Sequence, residues 1–260
     1  MPEYSVSIIW ILVNLVILAG LIRLIKQDVR AVPVIFFGFG SLCILFSSLY
    51  WIVYALLRPD VRMPFAANEI AEWAIFLSFG ASLKAASEPG GRASRREILS
   101  VILFIVANVA LWIAWSGEWL QDIATGIVFG YYVAALAVRM NRTEAVSLPV
   151  RRLWGLVCIL LVAGQAATFF TQPPLKDGLD LFCYALLLLT ELYLVIKAVG
   201  SLSQKKTEVG TDSMSLSFAV HAWGTVFLYM SADAFYTIAG FFVSLGYLLM
   251  YLSFRREEGT

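Results

Sequence analysis

Residues Met214 to Phe254 read MSLSFAVHAWGTVFLYMSADAFYTIAGFFVSLGYLLMYLSF, an apolar run of 41 residues with one polar break at Ser231-Ala232-Asp233. A helix rises 1.5 Å per residue, so about 20 apolar residues cross the roughly 30 Å of bilayer hydrocarbon. This stretch is too long for one span and fits two, with a tight turn at the break. The rest of the chain repeats the same block length. Helices are expected at about 6–25, 33–57, 65–84, 98–116, 119–139, 153–171, 180–199, 214–231 and 234–254. The fold class is therefore all-α: a polytopic membrane bundle of nine transmembrane helices in a single domain, residues 1–260.

Composition agrees with this class. Apolar residues make up 60% of the chain and charged residues 14%, against about a quarter charged in soluble domains. The basic residues then orient the bundle. With the N-terminus outside, sixteen of the nineteen Lys and Arg residues fall on the inner side, and only Arg58, Arg62 and Lys176 fall outside. Positive charge collects on the cytoplasmic side of membrane proteins, so this alternation predicts N-terminus out and C-terminus in. Six of eight tryptophans (Trp10, Trp51, Trp73, Trp112, Trp115 and Trp119) lie in the outer halves of their helices, as an interfacial aromatic belt requires. The first apolar block has neither a basic flank nor a small-residue cleavage site, so it reads as a retained helix. The compact bundle and strong charge bias fit a bacterial cytoplasmic membrane.

Several kinds of chemistry lack their residues. One histidine in 260 residues excludes a multi-histidine metal site. Cys43, Cys158 and Cys183 sit in apolar blocks without paired spacing and read as small hydrophobes. There is no phosphate-binding glycine loop, zinc-protease helix or serine elbow, so no cofactor and no metal is expected. The basic residues are spread one or two per helix end, which is a topology signal and not a nucleic-acid patch. Gly126 and Gly130 have the spacing of a close-packed helix pair.

The polar residues inside the apolar blocks are the candidate sites. In Met63 to Lys84, MPFAANEIAEWAIFLSFGASLK, the acids Glu69 and Glu72 join Asn68 at helical spacing of three and four, placing all three on one face near the outer mouth. They read as an acidic vestibule for cations or amines, or as an interfacial group paired with Arg58 or Arg62. Glu191, in LLLLTELYLV, lies at the midplane, with Asn14, Asn108 and Gln165 roughly level by counting from helix ends. A carboxyl group at that depth is costly, so it either binds a cation or exchanges a proton, or it glues helices through hydrogen bonds to those amides. His221, near Thr225 and two turns from the inner surface, is either a proton relay or a hydrogen-bonded structural histidine.

These features predict a transporter or permease-like protein for a small cation, amine or proton-coupled solute, with an outer acidic vestibule and a midplane carboxylate. The alternative is a non-catalytic receptor, sensor or accessory subunit, binding a ligand outside and a cytoplasmic protein partner, or a second copy of itself, through its inner loops and the polar linker Ser201 to Asp212. Intramembrane catalysis is the weakest reading, because nucleophile and metal sets are missing.

Overall fold

The computed structural model describes residues 2–26, 31–58, 67–86, 95–116, 119–143, 148–204, 209–229 and 233–256. Among the described residues the chain is helical with no strand. The elements are α1 (Pro2–Lys26), α2 (Ala31–Leu57), α3 (Ala67–Ala86), α4 (Arg95–Ser116), α5 (Trp119–Thr143), α6 (Leu148–Thr168), α7 (Leu175–Gln204), α8 (Val209–Tyr229) and α9 (Asp233–Arg256). The break that divides the final apolar stretch lies outside the described residues at 231 and 232, and α9 resumes at Asp233.

Two connections are shorter than the sequence predicts. Residues Gln172 to Gly178 read as a plain turn, but α7 already begins at Leu175, where Lys176 N–H donates to Gln172 O and Gly178 N–H to Pro174 O. Pro173 and Pro174 cannot continue α6, yet they precede a helix without cost, because the first helical N–H groups have no intrahelical acceptor. The polar linker also contracts. Ser201 to Gln204 extend α7 and Val209 to Asp212 open α8, leaving only 205–208 outside the described residues. Polarity alone therefore misplaced these ends; a helix that leaves hydrocarbon has no reason to stop while its backbone bonds remain satisfied.

The helices pack as a closed ring in the order α1, α2, α3, α5, α4, α6, α7, α8, α9 and back to α1, and α8 also touches α5 across the middle. Odd-numbered helices run one way and even-numbered helices the other. Glycines seat several of the crossings. A Cβ on Gly126 or Gly130 would meet the backbone of Val109 or Ile105, so this pair draws α5 onto α4. Gly246 brings α9 against the backbone of His221 on α8, and Gly20 accommodates the ring of Tyr251 between α1 and α9.

Among the described residues, five helices are long and apolar enough to cross a membrane: those containing Val6–Lys26, Val32–Leu57, Asp122–Met140, Leu175–Gly200 and Phe235–Arg255. Their outward faces are apolar: Val16 is 64% exposed, Phe46 63%, Leu189 60% and Phe241 61%. Water would not tolerate so continuous a coat on a monomer, whereas lipid would. The helices α3 and α8 are less apolar for a packing reason. From Ser213 to Tyr229 no residue of α8 is exposed, and its buried Ser215, Ser217, His221 and Thr225 face other helices. On α3 from Asn68 to Leu83, only Ile70 and Leu77 are exposed. A helix shielded by its neighbours can carry polar groups that a lipid-facing helix cannot.

Candidate functional site

Five helices (α1, α2, α3, α8 and α9) enclose a half-open cavity of about 240 Å³ at one end of the bundle. It lies toward the end where α3 and α9 begin and α2 and α8 end. From Tyr229 near that end to His221, the deepest lining residue of α8, is eight residues, about 12 Å at 1.5 Å per residue. The walls carry Trp10, Trp51, Phe76, Tyr236 and Tyr247. Ser47, Asn68, Glu72, Thr225 and Tyr229 supply polar groups, and among the described residues no Lys or Arg lines it.

Glu72 is the centre of this site. Asn68, one turn earlier on α3, donates from Nδ2 to Glu72 Oε1 at 2.9 Å, and Tyr229 of α8 donates from its hydroxyl to Oε2 at 2.8 Å. Ser47 of α2 in turn donates to Asn68 Oδ1. The network continues behind Tyr229, whose ring meets Trp112 of α4 edge-on at 4.9 Å. Each carboxylate oxygen thus receives one protein donor. A carboxylate offers about four lone-pair sites, so half its capacity remains for a ligand. The side chain is half-buried, and Asn68 of its own helix and Tyr229 of α8 hold it in one orientation.

The remaining polar residues singled out from the sequence are placed as follows. Glu69 is half-buried in the first turn of α3 and does not line the cavity. Asn14 is buried on α1, donates to Trp10 O at 2.7 Å, and belongs to a helix packed on α2 and α9 rather than on α7. Asn108 donates to Phe104 O at 2.9 Å within α4. Gln165 is not level with Glu191. Gly164 abuts the Cys183 sulfur, which sets Gln165 beside Cys183, eight residues or about 12 Å from Glu191 along α7. Glu191 is completely buried, and neither of its oxygens has a hydrogen-bond partner among the described residues. His221 Nδ1 lies 3.0 Å from the Tyr132 hydroxyl, and Thr225 Oγ1 donates to His221 O at 2.9 Å.

Tyr229 and Tyr132 are absent from the sequence reading, and Trp51 enters it only as a belt residue. Tyrosine and tryptophan in a membrane helix are ordinarily belt residues, and nothing local distinguishes these from the others. Comparison of the chain with protein-family models, with curated proteins and with solved structures finds no match in any of the three.

Proposed function

We propose that this chain is a multi-pass membrane protein, transporter or permease-like, that takes a small organic cation or amine into the cavity around Glu72. The observation that carries this reading is a carboxylate oriented by Asn68 and Tyr229 inside an aromatic box lined by no Lys or Arg among the described residues. Aromatic faces attract ammonium groups, by about 0.5–2 kcal/mol each depending on desolvation, and a carboxylate supplies the countercharge. A volume of about 240 Å³ lies below the roughly 300–1,000 Å³ of pockets for drug-sized ligands, which favours a small solute.

In this reading all nine helices span the bilayer, with α3 and α8 shielded from lipid, and the cavity opens outward. The basic residues Arg23, Lys26, Lys84, Arg95, Arg139 and Arg255 and their neighbours on the chain occur at helix ends opposite the end that holds the cavity, which supports that orientation.

Thermal unfolding of the purified protein in detergent tests the site. A ligand that binds only the folded form raises the midpoint by mass action. Choline, tetramethylammonium or a primary amine is expected to raise it by several degrees in the natural protein and to have no effect on Glu72→Gln. A panel of such cations that leaves the natural midpoint unmoved removes the reading. Uptake of labelled choline into proteoliposomes then separates carriage from sensing at the same cavity.

A further inference from the structure

The deep end of the cavity holds the one histidine of the chain. His221 lines it from α8, with Nδ1 3.0 Å from the Tyr132 hydroxyl of α5, and that hydroxyl donates to Phe218 O at 2.8 Å. A carbonyl oxygen can only accept, whereas an imidazole nitrogen can do either. Both contacts are hydrogen bonds only if the phenol proton goes to Phe218 O and Nδ1–H donates to the phenol oxygen. Tyr132 thus selects the neutral tautomer with its proton on Nδ1 and a bare lone pair on Nε2.

The packing around the ring directs that lone pair. The Nδ1 side faces α5, which contributes no residue to the lining. The backbone and Cβ of His221 sit against Gly246 of α9, and Phe79 of α3 meets the ring edge-on at 5.2 Å. Across the ring from Nδ1 is the edge formed by Cδ2 and Nε2, so this is the edge that His221 brings to the cavity. No described residue hydrogen-bonds Nε2.

Other protons of the lining are already committed. Tyr229 donates to Glu72, Ser47 to Asn68, and Thr225, one turn from His221 on α8, to His221 O. What these hydroxyls, Glu72 and Nε2 offer a solute is therefore lone pairs. Among the described residues Glu72 is the one acid of the lining. It compensates one positive charge, and a second would lose its hydration without a partner. The solute that suits this cavity carries one ammonium and, at its other end, a neutral hydrogen-bond donor.

We propose that the solute is an amino alcohol, its ammonium held at Glu72 and its hydroxyl donating to His221 Nε2. His221 sets this specificity, and Tyr132 is the positioning residue that keeps the lone pair of Nε2 free. The assignment rests on the cavity being a cation site. Glu72 and Phe79, the neighbour of His221, lie seven residues apart on α3, or about 10 Å. A hydrogen bond at each end takes about 3 Å of that span, and a chain of a few carbons fills the rest.

Terminal amino alcohols from ethanolamine to aminopentanol are the probes, each paired with the alkylamine in which methyl replaces the hydroxyl. An aromatic cavity that ignores the hydroxyl favours the alkylamine, because methyl is the more easily desolvated group. The natural protein is expected to reverse that order at one chain length or more. Half the thermal-midpoint shift should then need about ten-fold less of the amino alcohol. His221→Phe keeps an aromatic ring against Phe79 and Tyr247 and loses the acceptor. It is expected to bind the alkylamine still and to lose the preference. Tyr132→Phe lets the imidazole carry its proton on either nitrogen, and is expected to lower the preference several-fold with alkylamine binding intact. Alkylamines that equal or exceed the amino alcohols at every length in the natural protein overturn the assignment and leave the cation site standing. So does a preference that survives His221→Phe. Midpoints unmoved by either series remove the cation site, and the assignment with it. If His221→Phe does not fold, Tyr132→Phe decides the matter, since an undiminished preference there overturns the part given to His221.

Discussion

Glu72 accepts one hydrogen bond on each carboxylate oxygen, and the two donors play different parts. Asn68 sits on the same helix and keeps its place whatever the bundle does. Tyr229 comes from α8 and reports how closely α3 and α8 approach. A hydrogen bond to a charged group contributes about 1.5–3 kcal/mol when buried, and less here because Glu72 is only half-buried. Tyr229→Phe is therefore expected to weaken choline binding by about ten-fold, equivalent to about 1.4 kcal/mol, as measured by the choline concentration needed for half the midpoint shift. Glu72→Gln, which removes the countercharge, is expected to abolish the shift. Equal loss in both variants would mean that Tyr229 shapes the cavity and does more than orient the carboxylate. The Asn68–Glu72 pair was legible in the sequence, because spacing of four on a helix is a local rule. Tyr229 lies 157 residues from Glu72, and no local rule connects them.

At the level of elements, the glycines of the crossing helices divide sharply. A Cβ on Gly246 would come within 2.6–2.8 Å of His221 Cβ, Cα and N, and backbone cannot swing aside as a side-chain tip can. Gly246→Ala is thus expected to push α9 from α8 and to lower the thermal midpoint, at a cost of about 1–3 kcal/mol for overpacking. Gly155 on α6 has nothing within 4 Å of the same position. Gly155→Ala should leave the midpoint unchanged or raise it, since alanine is the better helix former by about 1 kcal/mol. A parallel drop in both would show that glycine at these positions serves helix flexibility and not close approach. The helices themselves were readable from apolar block length. Their depths were not, because counting from helix ends presumes that all helices begin together. The α7 helix starts five residues earlier than polarity implied and α6 stops at Thr168, which is why Gln165 lies beside Cys183 and not level with Glu191. The polar content of α3 and α8 likewise has its reason in three dimensions, since their shielding by neighbours is not a property of their own residues.

The whole molecule is a ring of nine helices among the described residues, and the membrane orientation proposed for it is open to direct measurement. In a background with Cys43, Cys158 and Cys183 replaced by Ala, Lys176→Cys at the start of α7 is expected to react with a membrane-impermeant maleimide on intact cells. Arg95→Cys, at the start of α4, is expected to react only after permeabilisation. The opposite pattern would invert the bundle and turn the cavity toward the cytoplasm. Ring closure has a consequence for biosynthesis. Of the nine helices, α9 leaves the ribosome last, and it stands between α8 and α1. Before it arrives, the site lacks the wall bearing Tyr236, Val243 and Tyr247, and Trp10 lacks the Gly240 carbonyl to which its indole N–H donates. A nascent chain halted ahead of residue 233 would leave the aromatic groove of Trp10, Trp51 and Phe76 uncovered on that side. Quality-control proteases could therefore tell a finished chain from an interrupted one by whether that groove has been sealed.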